Sequence, residues 1–293
     1  YFDGQIANKA IDDLERLKDR DEPFFLAVGF LKPHLPFNAP KKYWDLYERS
    51  EIDLADNPFR PKGAPDVALH NWGELRNYVG IPAKGRLTDD MARTLVHGYY
   101  ACVSYTDAQI GRVLEALEQQ GLEDNTIVVL WGDHGWNLRE HGLWCKHCNF
   151  ETSLHAPLIF KGPGVPDATR TRRLTEFVDI YPTLCDLADL PLPDHLTGIS
   201  LVPLMEKPDR PWKKAAFSRW QSGDSIRTDR YRYTEWRGKD GKRYARMLYD
   251  HREDPQENVN IAEYTEHQGL CHRLSQMLQE GWQSGLPETH NEK

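Results

Sequence analysis

Basic residues are in deficit in this sequence. Lys and Arg number 37 against 45 Asp and Glu, and the net charge of −8 argues against a general nucleic-acid binder. Long apolar runs are missing too. The two longest, Phe24–Leu31 and Ile127–Trp131, fall far short of the roughly 20 residues that a membrane helix needs, so no span is expected. Cysteine is scarce and odd in number: five in 293 residues leave at least one thiol unpaired and imply no dense disulfide framework. Internal repeats and low-complexity segments are absent. The chain opens at Tyr1 with no Met, no basic n-region and no apolar h-region, which reads as a processed or internal start. Core-forming residues are in good supply, with 39% hydrophobic residues, nine Trp, ten Phe and thirteen Tyr. That length suits one large or two unequal domains.

Periodicity sets out the elements. Ile6, Ala10, Leu14 and Leu17 recur at helical spacing. Phe24–Phe30 then reads as a strand apolar on both faces, of the kind found in buried, largely parallel sheets. Pro33 and Pro36 forbid its continuation, which puts His34 on a loop at the strand's C-terminal end. Residues 38–87 show little periodicity. Thr88 and Asp89 cap a long helix with a stripe of Leu95, Ile110, Val113, Leu114 and Leu117, and Gly121 ends it. A second buried strand, 125–131, runs straight into Gly132-Asp133-His134-Gly135. A third strand covers 157–160, and 178–187 is a helix interrupted early by Pro182. Beyond about residue 206 the pattern alternates, as in antiparallel strands with one wet face: 215–220, 225–228 and 231–236. A turn at 239–242 and a closing helix at 270–278 follow. The expected fold class is α/β: part of a doubly wound, mostly parallel sheet with flanking helices, plus a small C-terminal α+β module with an antiparallel sheet. The expected boundary separates residues 1–205 from 206–293. Open α/β sheets bind ligands at the carboxyl ends of their strands, where His34 and the Asp133-His134 pair fall.

Several residues in these loops can carry chemistry. Asp133 sits between glycines that allow close approach, so it can ligate a cation or orient a base; the plain alternative is that it caps a turn. Lys146 and His34 each have a plain alternative as well, a solvated lysine and a packed histidine. Cys145 and Cys148 form a single C-x-x-C. No second pair supplies the four ligands of a zinc site, so ordinary thiols are the default. Residues 213–246 hold eleven Lys/Arg against four Asp/Glu, a basic island that suits an anionic substrate or merely solvates a sheet.

At these residues the sequence resembles the sulfatase family of the alkaline-phosphatase-like superfamily, and within it the iduronate-2-sulfatase branch. The resemblance runs through 23–37, 100–112, 132–146, 155–160, 225–234 and 248–255, in order and over essentially the whole chain. The Asp133-His134 pair, where most sulfatases carry Asp-Asn, points to the iduronate branch. The resemblance implies a Ca²⁺ ion held in part by Asp133 and His134, with His134 alternatively bonding the sulfate or the nucleophile. It implies that His34, Lys146 and His134 are catalytic, His34 and Lys146 contacting the sulfate. Trp136, Arg227 and Arg232 are implied contacts to a sugar and its carboxylate. The family's nucleophile is a formylglycine made from Cys or Ser in a C/S-x-P-x-R motif. None of the five cysteines is followed two residues later by Pro, and no serine supplies the motif. The expectation is therefore a C-terminal portion of a sulfatase acting on sulfated saccharides, partnered by a missing N-terminal segment and inactive by itself. The family places it in the periplasm, a secreted fluid or the lysosome. Two alternatives stay open: a phosphonate or phosphodiester hydrolase on the same fold, and a non-catalytic chain.

Overall fold

Helix α1 (Phe2–Leu17) forms over the periodic stretch and buries Ala7, Ala10 and Leu14. The computed structural model describes residues 1–287. They fall into two compact units, one of Tyr1–Asp56 with Trp72–Thr126, the other of Asn57–Asn71 with the chain from Ile127 on.

In the first unit, two single-turn helices, α2 (Lys41–Trp44) and α3 (Gly73–Arg76), precede the long helix α4 (Asp89–Gln119). The Thr88 side chain accepts a hydrogen bond from the Met91 amide at 3.2 Å, the expected N-cap. Gly121, at φ +70°, lies just past the helix end. The buried face differs from the expected stripe. Ala92, Val96, Ala101, Cys102 and Tyr105 are buried with Leu117, whereas Leu114 is exposed. Small residues face inward because aromatic groups crowd against them: a Cβ on Gly98 would lie 2.9 Å from both Phe37 and Trp44. Helix α1 is tied to α4 where the Gly4 amide donates to the Tyr105 hydroxyl at 2.8 Å.

The stretch 24–30 is not a strand in the structure. Phe25 stands exposed, and among the described residues no strand pairs with this run. Its end is fixed instead by the buried Asp3 carboxylate, which accepts from the Leu31 and Lys32 amides at 2.8 and 3.0 Å.

In the second unit, β1 (Val128–Trp131) pairs with β4 (Leu158–Lys161). The pairing is antiparallel, with Val129 opposite Phe160. Between them the chain makes only short elements: β2 (Asn137–Leu138), β3 (Trp144–Cys145) and the one-turn helix α5 (Glu151–Leu154). Nothing there is long enough for the crossover that parallel neighbours need. Helices α6 (Ile180–Leu187), with Pro182 in its first turn, and α7 (Val202–Glu206) follow. Beside them Lys213, 5% exposed, sits 2.7 Å from Glu176 and 2.8 Å from the fully buried Asp179.

The basic segment forms an antiparallel meander of β5 (Ala216–Trp220), β6 (Gly223–Arg227), β7 (Tyr231–Arg237) and β8 (Arg243–Asp250). The expected wet face is a correction. Helix α8 (Gln268–Glu280) covers one side, where Ile226, Tyr233 and Leu248 pack with Cys271 and Leu274. On the other side Thr234, Met247 and Tyr249 are buried too, and Ser225 hydrogen-bonds Thr234 across the strands at 2.6 Å. Polar side chains on that side are short or paired, so their alternation does not mean exposure.

Candidate functional site

The turn after β1 is pinned at both ends. The Gly132 amide donates to the Pro157 carbonyl at 3.1 Å, and the Gly135 amide to the Ser153 carbonyl at 2.9 Å. A Cβ on Gly135 would collide with the Thr152 carbonyl, so only glycine fits against α5. Asp133 and His134 therefore project from a fixed backbone. The Asp133 side chain is 86% exposed. His134 Nδ1 lies 2.7 Å from the Gly135 carbonyl. A carbonyl can only accept, so Nδ1 donates a hydrogen to it, and Nε2 is the ring nitrogen turned toward Asp133. That Nε2 is 3.5 Å from Asp133 Oδ2. A carboxylate oxygen and an imidazole nitrogen thus lie side by side, two atoms of types that can ligate a cation. An open carboxylate is also the hard oxygen that Ca²⁺ prefers. The two residues fit part of a divalent-cation site.

The neighbouring side chains continue the row. The His134 and Trp136 rings stack with centroids 6.1 Å apart and planes 25° from parallel. Lys146 Nζ lies over the Trp136 ring, 4.9 Å from its centre. Carboxylate, imidazole, indole and ammonium thus succeed one another along one edge of this unit. The structure brings together four of the seven residues singled out from the sequence.

Arg227 and Arg232 lie elsewhere and are engaged with carboxylates of the protein. Arg232 is 3% exposed and closes its guanidinium on Glu151, with Nε 3.1 Å from Oε2. Arg227 reaches the same oxygen at 3.2 Å. Burial pushes the Glu151 carboxyl up, but Arg232, Arg227 and His251 overcome it and hold it down at about 2. Glu257, 1% exposed, accepts from the Glu151 amide at 2.8 Å and pairs with Arg232 at 3.2 Å and His251 at 2.9 Å. These guanidinium groups hold internal carboxylates. Glu151, His251 and Glu257 bring ligand-type atoms within 4.8 Å of one another. Two guanidinium groups already balance those carboxylates, which disfavours a metal there.

His34 belongs to the first unit. Its Nδ1 is 2.8 Å from the Leu35 carbonyl, and its Nε2 is 2.9 Å from Glu74 Oε1. Both ring nitrogens face oxygen acceptors. The five cysteines are buried and form no disulfide, and burial pushes the Cys102 thiol up to about 11, which leaves that thiol unreactive.

Sequence reasoning passed over Asn137, Glu151 and Glu257. Asn137 is fully buried and directly follows Trp136. A polar amide inside a run that otherwise reads as a turn was the available signal.

The chain matches the family model described as Sulfatase over residues 1–190, and the one described as N-sulphoglucosamine sulphohydrolase, C-terminal, over residues 139–284. It is 34% identical to iduronate 2-sulfatase of Mus musculus, over 93% of this chain and 64% of that protein. Phosphonate monoester hydrolase of Agrobacterium radiobacter aligns at a TM-score of 0.74 and 27% identity, over 94% of this chain and 60% of that one. A protein solved in complex with its substrate D-glucosamine-2-N,6-O-disulfate aligns at 0.81 and 22% identity, over 97% and 70%, a likeness of fold alone. The chain spans less than two thirds of the length of these curated relatives.

Proposed function

This chain belongs to the sulfatase family and has the mixed α/β, alkaline-phosphatase-like fold of its structural neighbours. On that premise we propose that it contributes the metal- and sulfate-contacting part of a hydrolase for sulfate esters on saccharides, of the iduronate-2-sulfatase type. The observation that carries the reading is the row Asp133, His134, Trp136 and Lys146, with an open carboxylate beside an imidazole nitrogen at one end and an ammonium at the other.

Asp133 and His134 would hold a Ca²⁺ ion, which when bound neutralises charge on the sulfate. Lys146 places a cation where negative charge builds on sulfate oxygens in the transition state, and charge placed in advance lowers the barrier. The Trp136 ring holds the lysine ammonium over its face and would offer apolar surface to a sugar. For His34 we carry the role its motif implies, donation to a sulfate oxygen and protonation of the leaving alkoxide; its two-acceptor surroundings suit a donor. The nucleophile, a formylglycine in the family, would come from a segment outside these 293 residues, and residues 1–205 would then be the later part of the catalytic domain, with 206–293 a subdomain. Membership implies a periplasmic, secreted or lysosomal setting. No helix among the described residues is long and apolar enough to cross a membrane.

In the full-length protein, Asp133→Ala should abolish both Ca²⁺ binding in a calorimetric titration and hydrolysis of an aryl sulfate. Normal binding and turnover would remove the site from this turn. The Agrobacterium radiobacter likeness favours a second reading, phosphonate monoester hydrolysis. Assaying an aryl sulfate and an aryl phosphonate monoester side by side decides between them. The 293-residue chain alone should turn over neither.

A further inference from the structure

Strands β2 and β3 carry Trp136 and Lys146 at their outer ends, yet each strand has two residues. Two such strands cannot fix a side-chain geometry by their own ladder. We infer that Asn137 is the positioning residue that sets Lys146 over Trp136. It rests on the reading above that Lys146 acts on the sulfate.

Asn137 pairs in register with Cys145. It immediately follows Trp136, and Cys145 immediately precedes Lys146, so the pair stands at the root of both side chains. The Asn137 carboxamide is 0% exposed and every part of it is engaged. Its Nδ2 donates to the Cys145 carbonyl at 3.0 Å and to Ser153 Oγ at 2.8 Å, with the Cys148 sulfur at 3.6 Å. Its Oδ1 accepts from Thr152 Oγ1 at 2.6 Å. One side chain therefore joins β2, β3 and α5. Helix α5 is also the element whose Ser153 carbonyl receives the Gly135 amide. The lysine and the Asp133-His134 turn are thus referred to one buried amide, which no other residue type satisfies in all three bonds. A carboxylate has no hydrogen to give the Cys145 carbonyl, and an alanine removes all three bonds at once.

The test uses the full-length protein with Asn137→Ala, Asn137→Asp and the milder Thr152→Val, which removes only the hydroxyl that orients the amide. Reductive ¹³C-methylation of lysines gives an NMR signal for Lys146, identified by its loss in Lys146→Arg. Ring current from Trp136 should displace that signal upfield in the parent. Folded Asn137 variants should move it toward the bulk lysine position, with Thr152→Val between. Displacement of about 1 Å can cost up to about 10²-fold in rate, so kcat for an aryl sulfate should fall toward that limit with KM changed less. In a Lys146→Ala background, Asn137→Ala should cost less than about 2-fold more, because the two act through one group. An unmoved Lys146 signal in the Asn137 variants, or losses that multiply in the double variant, would overturn the inference. Should no variant or parent hydrolyse any ester, the proposed function falls while the NMR shift still decides the role of Asn137.

Discussion

The second unit holds charge in two ways. On the β5–β8 sheet, Arg232 is buried and matched against Glu151 and Glu257. In the turn after β1, Asp133 is exposed, with His134 Nε2 3.5 Å from it. Taking a charge out of water costs several kcal/mol, so a matched interior pair is bound to the structure around it. A charge left open on a fixed backbone has no such debt and can meet a ligand. An exposed acidic residue held by glycines is therefore freer to meet a ligand than a buried, paired arginine.

The comparison breaks most visibly at Arg232. Arg232→Ala leaves Glu151 and Glu257 facing each other with less compensation, and unfolding in urea should show a loss of about 3–5 kcal/mol. A loss below about 0.5 kcal/mol would put this arginine with the open charges. Lys146→Ala should do the reverse. In the full-length protein it should lower kcat for an aryl sulfate by about 10²–10³-fold, with the urea midpoint unchanged to within about 0.5 kcal/mol.

The smallest effect is in acid. The folded-state value of Glu151 lies below its usual 4.5, at about 2. A depressed carboxyl contributes stability that is present above the unfolded value and lost as pH falls through the folded one. Unfolding free energy should therefore decline between about pH 4.5 and pH 2, and Glu151→Gln should flatten that part of the curve. An identical slope in the variant would remove Glu151 as the cause.

Local signals were legible where the cause was local. Thr88 capped α4 and Gly121 closed it, because both effects act within one turn. The Gly132–Gly135 turn was legible for the same reason. The partner of Arg232 was not, since Glu151 lies 81 residues away and only folding brings it near. The direction of β4 was hidden because it depends on the length of what lies between two strands, and residues 132–157 fold into elements too short to read by period. Apolarity misled at 24–30: a run of Phe, Leu and Val suits a buried strand, but its pairing depends on a neighbour that sequence does not name.

The buried Lys213 has a practical use. Its amine is enclosed by Glu176 and Asp179 and is 5% exposed. An amine-reactive reagent reaches it only when the surrounding loops part, while exposed lysines react at once. The rate at which Lys213 is modified in the otherwise native protein is thus a clock for local opening, read residue by residue in a peptide digest. Urea added well below the unfolding midpoint should speed that clock only if the opening exposes new surface, so one lysine can separate a small local fluctuation from a larger cooperative one.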